Sequence, residues 1–214
     1  MRQLIVIGAG GHARVLVEAL RANRMEIAGF VINDLQDGIG VMHELPRIGT
    51  DGELLAVGQQ QTDLVNGVGS TGKSDVRRSI FERFRNAGFR FVTVIHPTAI
   101  VASDVVLGEG AQVMAGAVLQ PGVVIGANAI VNTGAVVDHD VRIGDHAHVA
   151  PGACLAGGVI IGEVAHVGAG STVIQNVRVG AGALIAAGST VVRDVPPGAV
   201  VAGVPARESQ FVQS

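Results

Sequence analysis

A run of six-residue blocks from Ile100 to Val195 constrains this chain of 214 residues more than any other feature. It reads IVASDV VLGEGA QVMAGA VLQPGV VIGANA IVNTGA VVDHDV RIGDHA HVAPGA CLAGGV IIGEVA HVGAGS TVIQNV RVGAGA LIAAGS TVVRDV, sixteen blocks without an insertion. The second position is always Val, Leu or Ile, and the sixth is always Ala, Val or Ser. A longer period sits on top. Val returns to the sixth position every eighteen residues from Val105 to Val195, and Gly108, Gly126, Gly144, Gly162 and Gly180 keep the same spacing. Three blocks therefore make one turn of three short strands and three corners. A low-complexity tract does not hold two nested periods in phase, so the repeat decides the fold.

The physical consequence is a parallel β-helix. Side chains alternate across a strand, so the second position points inward while the first and third point outward. The sixth position points inward at a corner, where only small or β-branched groups fit. No coil buries its apolar column alone, and stacking the coils does so.

Composition narrows the function classes. Net charge is −3 and no basic run occurs, which argues against a nucleic-acid partner. The one cysteine, Cys154, excludes an internal disulfide framework. No apolar run has the length of a bilayer span, and the chain opens on a strand pattern rather than a signal peptide. A cytoplasmic location without membrane insertion is expected.

Residues 1–95 read as a small α/β domain and residues 96–214 as the β-helix with a C-terminal tail. RQLIVIG is a buried parallel strand, followed by GAGGHA and a helix, ARVLVEALRANR, with Val15, Leu16, Ala19 and Leu20 on one face. MEIAGFVIND is a second strand ending at Asp34. A polar, Gly-containing stretch then runs to Thr50, and a weak helix covers 51–57. TDLVNGVGS is a third strand. KSDVRRSIFERFRNAG is a second amphipathic helix carrying Ile80, Phe81 and Phe84, with Gly88 as C-cap. FRFVTVI is a fourth strand leading into the first coil. Such alternation implies a parallel sheet covered by helices, half of a Rossmann-like unit.

In GAGGHA, Gly8, Gly10 and Ala13 match the dinucleotide fingerprint, and Asp34 lies about twenty residues on. Glycines let the backbone approach a diphosphate, and the helix N-terminus favours its charge. Three readings stand: a nucleotide-diphosphate ligand, NAD, or a tight structural turn. The short α/β unit suits a single nucleotide, and His12 is unusual for NAD. A histidine there donates to a phosphate or a sugar hydroxyl. Gly69 and Ser70, after the third strand, fall on the same carboxyl edge.

Five of the seven histidines lie beyond residue 95. His139 is fourth in VVDHDV, at a corner, with Asp138 and Asp140 beside it. A neighbouring carboxylate fixes the imidazole tautomer and makes a better base, and the competing reading is a solvated corner residue. His148 and His166 occupy first positions eighteen apart and stack outward on one face. A flat ladder of imidazoles offers no tetrahedral metal set. On another face Ile100, Val118, Val136 and Cys154 form an outward apolar column, which points to a subunit contact, with a cyclic trimer suiting three-fold coils.

The hexapeptide repeat resembles the hexapeptide acyltransferases, and this implies a left-handed hand for the β-helix. VPPGAVVAGVPAR looks like the ending common in that superfamily. GAGGHA, VIHPTAIV and VVDHDVRIGDHAHVAPGACLAGGV together resemble the sialic-acid O-acetyltransferase and UDP-4-amino-sugar N-acetyltransferase family (NeuD/PglD type) over essentially the whole chain. The resemblance implies His139 as general base and Asp140 as its acidic partner, where the family often has Glu. It implies His148 at acetyl-CoA with Ala169 and Ala187 lining the CoA channel between subunits of a homotrimer. It also implies a UDP-sugar held by Gly10, Gly11, His12, Asn33, Asp34 and Gly69, with Asn132 near the base. The expected reaction is acetyl transfer from acetyl-CoA to the amino group of a nucleotide-linked 4-amino sugar in glycan biosynthesis, without a metal. O-acetylation of sialic acid and a non-catalytic scaffold are the alternatives.

Overall fold

A computed structural model describes residues 2–33, 42, 44–58, 61–70 and 75–209. The α/β unit comprises β1 (Gln3–Ile7), α1 (Gly11–Ala22), β2 (Ile27–Val31), β3 (Arg47–Gly49), α2 (Asp51–Val57), β4 (Thr62–Asn66), α3 (Val76–Asn86) and β5 (Arg90–Phe91). The five strands form one parallel sheet in the order β3-β2-β1-β4-β5. Chain order reverses between β1 and β4, and the crevice beyond that point is where such sheets take ligands.

Local chemistry accounts for the elements. β1 carries four buried apolar residues in a row, as a strand covered on both sides should. On α1 the buried set is Ala13, Leu16, Val17, Ala19 and Leu20. Val15, expected inward, is 46% exposed and faces the crevice instead, and Val17 takes its place in the core. The seven-residue α2 is held by a capping box. Thr50 Oγ1 accepts from the Glu53 amide at 3.2 Å, and the Glu53 carboxylate accepts from the Thr50 amide at 2.7 Å. The polar, Gly-containing stretch that runs to Thr50 includes the three residues of β3, which find an edge beside β2. α3 buries Phe81 and Phe84 as expected, and it also buries Arg77.

FRFVTVI is not one strand. Arg90–Phe91 pairs with β4, whereas Val94–Ile95 pairs with Gln112–Val113 and forms the first rung of the repeat. From there the chain winds as a left-handed parallel β-helix, and its two-residue strands fall on three faces. One face carries Val94–Ile95, Gln112–Val113, Ile130–Val131, His148–Val149, His166–Val167 and Leu184–Ile185. A second runs from Ile100–Val101 to Thr190–Val191, and a third from Val106–Leu107 to Arg178–Val179. Up to Thr190–Val191 successive strands of a face pair at a spacing of eighteen residues, as in Val118↔Val136 and His148↔His166, and the spacing shortens to sixteen where Leu184–Ile185 meets Val200–Val201. Second and sixth positions fill the interior; Val113, Val123, Ala129, Val131 and Val137 are fully buried. Val200–Gly203 extends the first face, and Ala206–Glu208 folds back on it antiparallel.

The first face is covered, not bare. Val94 and Met114 share a core with Leu4, Leu16 and Val65, so the α/β unit lies against it. First positions there are deeply buried: Gln112 0%, Ile130 0%, His148 8%. On the second face Ile100 and Val136 stay exposed.

Candidate active site

A crevice of about 760 Å³ opens at the carboxyl ends of β1 and β4. Gly8 to His12 form one wall, Gly67 to Ser70 another, and Asn132, Thr133, His148 and Pro151 of the prism close the third side. The walls meet closely because Gly67 has no side chain. A Cβ there would stand 2.7 Å from the Ile7 carbonyl oxygen and 2.8 Å from Ala13 Cβ. α1 begins at Gly10 with neither a capping side chain nor an acidic residue in its first turn, so its amides remain available to an anion.

Hydrogen bonds fix the protonation of both crevice histidines. Gln112 Nε2 donates to the Asn66 carbonyl at 2.9 Å, which turns Gln112 Oε1 toward His12 Nε2 at 2.7 Å. An amide oxygen only accepts, so the His12 proton sits on Nε2 and Nδ1 keeps a lone pair. Burial, aided by the Arg77 charge, pushes His12 down to about 4, so it is neutral at physiological pH. His148 Nδ1 donates to the Ser70 carbonyl at 2.8 Å, and its Nε2 accepts from Asn132 Nδ2 at 3.1 Å. Burial and the neighbouring His166 push His148 down to about 3. The two rings meet edge to face at 4.9 Å, the stack expected from first positions eighteen apart. The expected donation from His12 to a phosphate is not available in this arrangement, since its one proton is committed to Gln112.

A buried polar seam stands behind the crevice. Arg77 donates through Nε to the Asn128 carbonyl at 3.1 Å and through one terminal nitrogen to the Asn66 and Val68 carbonyls at 2.9 and 2.7 Å. Asn66 Nδ2 adds a bond to Asn128 Oδ1 at 3.2 Å. The seam thus ties β4 and α3 to the prism and sets the wall from Gly67 to Ser70.

His139 and Asp140 occupy the next corner, between the second and third faces. His139 Nδ1 lies 2.9 Å from Asp140 Oδ2, and the side chains are 61% and 75% exposed. The carboxylate accepts, so Nδ1 carries the proton and Nε2 presents a lone pair to solvent. The Asp140 hydrogen bond, with the charge of Asp138, holds this imidazole above the ordinary histidine value. Asp140 has φ +60°, a left-handed conformation that aspartate tolerates better than most residues. Its amide donates to the Pro121 carbonyl one coil below at 3.1 Å.

Residues 3–84 match the PglD N-terminal domain, and residues 104–139 and 122–157 match the bacterial transferase hexapeptide, a model of six repeats. One similar solved structure is a GDP-perosamine N-acetyltransferase from Caulobacter crescentus, a variant with one histidine replaced by alanine, in complex with CoA and GDP-perosamine. It is 39% identical, covers 97% of this chain and 96% of its own, and superposes with a TM-score of 0.89. This chain belongs to the hexapeptide-repeat acetyltransferases of the NeuD/PglD type. The acetyltransferase domain of PglB from Neisseria gonorrhoeae, in complex with acetyl coenzyme A, is 38% identical with a TM-score of 0.88, covering 97% of this chain and 99% of that one. A UDP-N-acetylbacillosamine N-acetyltransferase of Bacillus subtilis is 36% identical over 119 residues. The match covers 54% of this chain and 52% of that relative, about half its length.

In this chain the expected site residues that are described fall into four groups. Gly10, Gly11, His12, Gly69, Asn132 and His148 line the one crevice. Ala169 and Ala187 are exposed and continue the corner column of Thr133 and Pro151 along the prism, joined by amide-to-carbonyl bonds of 2.9 and 2.8 Å. His139 and Asp140 lie outside the crevice, across the width of the second face. Asn33 is tied to α2: its Oδ1 accepts from the Asp51 amide at 3.0 Å and its Nδ2 donates to the Asp51 carboxylate at 3.1 Å. Asp34 lies outside the described residues. Sequence reasoning missed Gln112, Asn66 and Arg77. The available signal for Gln112 was an amide at an outward first position. Arg77 gave none, being one arginine of two adjacent ones on an amphipathic helix.

Proposed function

We propose that this protein transfers the acetyl group of acetyl-CoA to the amino group of a nucleotide-linked 4-amino sugar. The observation that carries this is the His139–Asp140 pair, an imidazole with its Nδ1 proton tied down and its Nε2 lone pair exposed. The amine attacks the thioester carbonyl, and the new N–C bond forms as the nitrogen's proton passes to His139 Nε2. Asp140 stabilises the resulting imidazolium. The tetrahedral intermediate then collapses, the C–S bond breaks, and the imidazolium proton returns to the CoA sulfur. Removing a general base of this kind costs about 10²–10⁴-fold.

The α/β unit holds the nucleotide sugar. The open α1 N-terminus receives the diphosphate, and His12 Nδ1 accepts from a sugar hydroxyl or amine. The column from Pro151 through Ala169 to Ala187 takes CoA. Within one chain His139 is set apart from this crevice. The apolar second face, with Ile100 67% exposed, supports a cyclic trimer in which the His139 corner of one protomer meets the crevice of the next. The relatives support the class of substrate: one is named for a UDP-linked amino sugar and another binds GDP-perosamine with CoA.

The test is a thiol assay of CoA release with UDP- and GDP-linked 4-amino sugars, beside a thermal-shift screen of UDP, GDP, CMP and acetyl-CoA. Amine-dependent CoA release that collapses in His139→Ala supports the proposal. Near-normal turnover in that variant refutes it. Release with free sialic acid and no stabilisation by any nucleotide would assign O-acetylation instead.

A further inference from the structure

The imidazole of His139 does not stand free. One coil further along, eighteen residues on, the position above it is Gly157, which is buried. A Cβ added to Gly157 would lie 2.6 Å from both His139 Cε1 and Nε2, and 3.2 Å from Cδ2. Those are impossible contacts for a real side chain, and they fall on the ring edge bearing the lone pair.

The backbone gives no other reason for a glycine at this position. Gly157 is absent from the residues with positive φ, unlike its neighbour Gly158 at +68°. Any L-residue adopts such a conformation. The repeat makes the same point. The fourth position of the sixteen blocks holds Ser103, Glu109, Ala115, Pro121, Ala127, Thr133, His139, Asp145, Pro151, Gly157, Glu163, Ala169, Gln175, Ala181, Ala187 and Arg193. Glycine stands there once, directly over the histidine. The coil joins the two positions: the Gly158 amide donates to the His139 carbonyl at 2.9 Å.

We infer that Gly157 is a positioning residue, whose missing side chain forms the seat that lets the His139 ring lie against Asp140 with Nε2 uncovered. The inference rests on His139 being the base. An exposed ring swings aside at little cost to folding, so a methyl group at 157 acts on ring placement rather than on stability. It either lifts the ring off Asp140 or caps Nε2, and a misplacement of about 1 Å in a reacting group costs on the order of 10²-fold.

The experiment compares Gly157→Ala, His139→Ala and the double variant in the full chain. Each is measured for kcat, both KM values and thermal midpoint, and the His139 titration is followed by NMR in every protein that keeps the ring. Gly157→Ala is expected to lower kcat about 10²-fold, with both KM values and the midpoint unchanged. Its His139 titration is expected to move down toward the ordinary value as the Asp140 contact is lost. The double variant should match His139→Ala, because without the ring there is nothing to seat. Full activity with an unmoved titration in Gly157→Ala overturns the inference. So does a further loss in the double variant, which would give Gly157 a task of its own, or misfolding of both variants, which would make the glycine a requirement of the coil. Should His139→Ala stay active, the proposed base is wrong, while the titration still reports whether 157 seats the ring.

Discussion

Replacing Arg77 by methionine removes the centre of the seam that fastens the α/β unit to the prism. Three carbonyls receive its protons, those of Asn66, Val68 and Asn128. Asn66 keeps a second donor in Gln112 Nε2. The other two lose their guanidinium donor, at about 1–3 kcal/mol for each acceptor left unsatisfied. Val68 is only half-buried, so water makes good part of its share. Loss of a buried cation, whose Nη2 has no partner among the described residues, offsets part of the rest. The net expectation is a loss of about 2–4 kcal/mol. Urea unfolding followed by circular dichroism reads this as a midpoint lower by about 1 M or more. A second readout is electrostatic. The Arg77 charge helps to hold His12 down at about 4, so the His12 titration rises in the variant. An unchanged urea midpoint together with an unmoved His12 would refute the role given to the seam.

Asp140→Asn removes the main cause of the raised His139 pKa, so the acid limb of kcat/KM, where the free base is lost as pH falls, shifts to lower pH while the plateau drops; a pH–rate profile measures both. Gln112→Glu sets a carboxylate against His12, so His12 protonates at higher pH and KM for the nucleotide sugar becomes pH-dependent, which steady-state kinetics checks. His12 and His148 are neutral when folded and refuse protons that the unfolded chain accepts at an ordinary value near 6.5. Their contribution to stability is therefore complete above that pH and declines as pH falls toward about 4 for His12 and about 3 for His148, which acid unfolding of the native protein measures. Val136→Glu places a charge on the apolar second face, and gel filtration should show dissociation with loss of turnover.

Much of the fold was legible because the repeat enforces it. A two-residue strand has little propensity of its own, yet Val, Leu or Ile at every second position leaves one way to bury the column. The β1–α1 turn was legible for a similar reason, since GAGGHA suits few other local conformations. The covered face was not. His148 at a first position reads as outward, and outward means solvent until the α/β unit is placed against it. Docking of that unit depends on Gln112, Asn66 and Arg77, each paired with a residue far away in the chain, and no local pattern encodes such pairs. It also explains Val15, which helical periodicity turns inward and the crevice leaves open.

The ladder of the prism is regular: from Ile100 to Val191 each rung is matched to the one eighteen residues on, except that Val179 and Leu184–Ile185, at the far end, meet partners sixteen residues on. Its height is therefore quantised. Inserting eighteen residues above the crevice would add one storey of about 4.8 Å and carry the terminal hairpin upward intact. Inserting six would rotate everything beyond it by a third of a revolution, delivering the corners of Ala169 and Ala187 to the wrong wall. Evolution can lengthen such a tower only floor by floor.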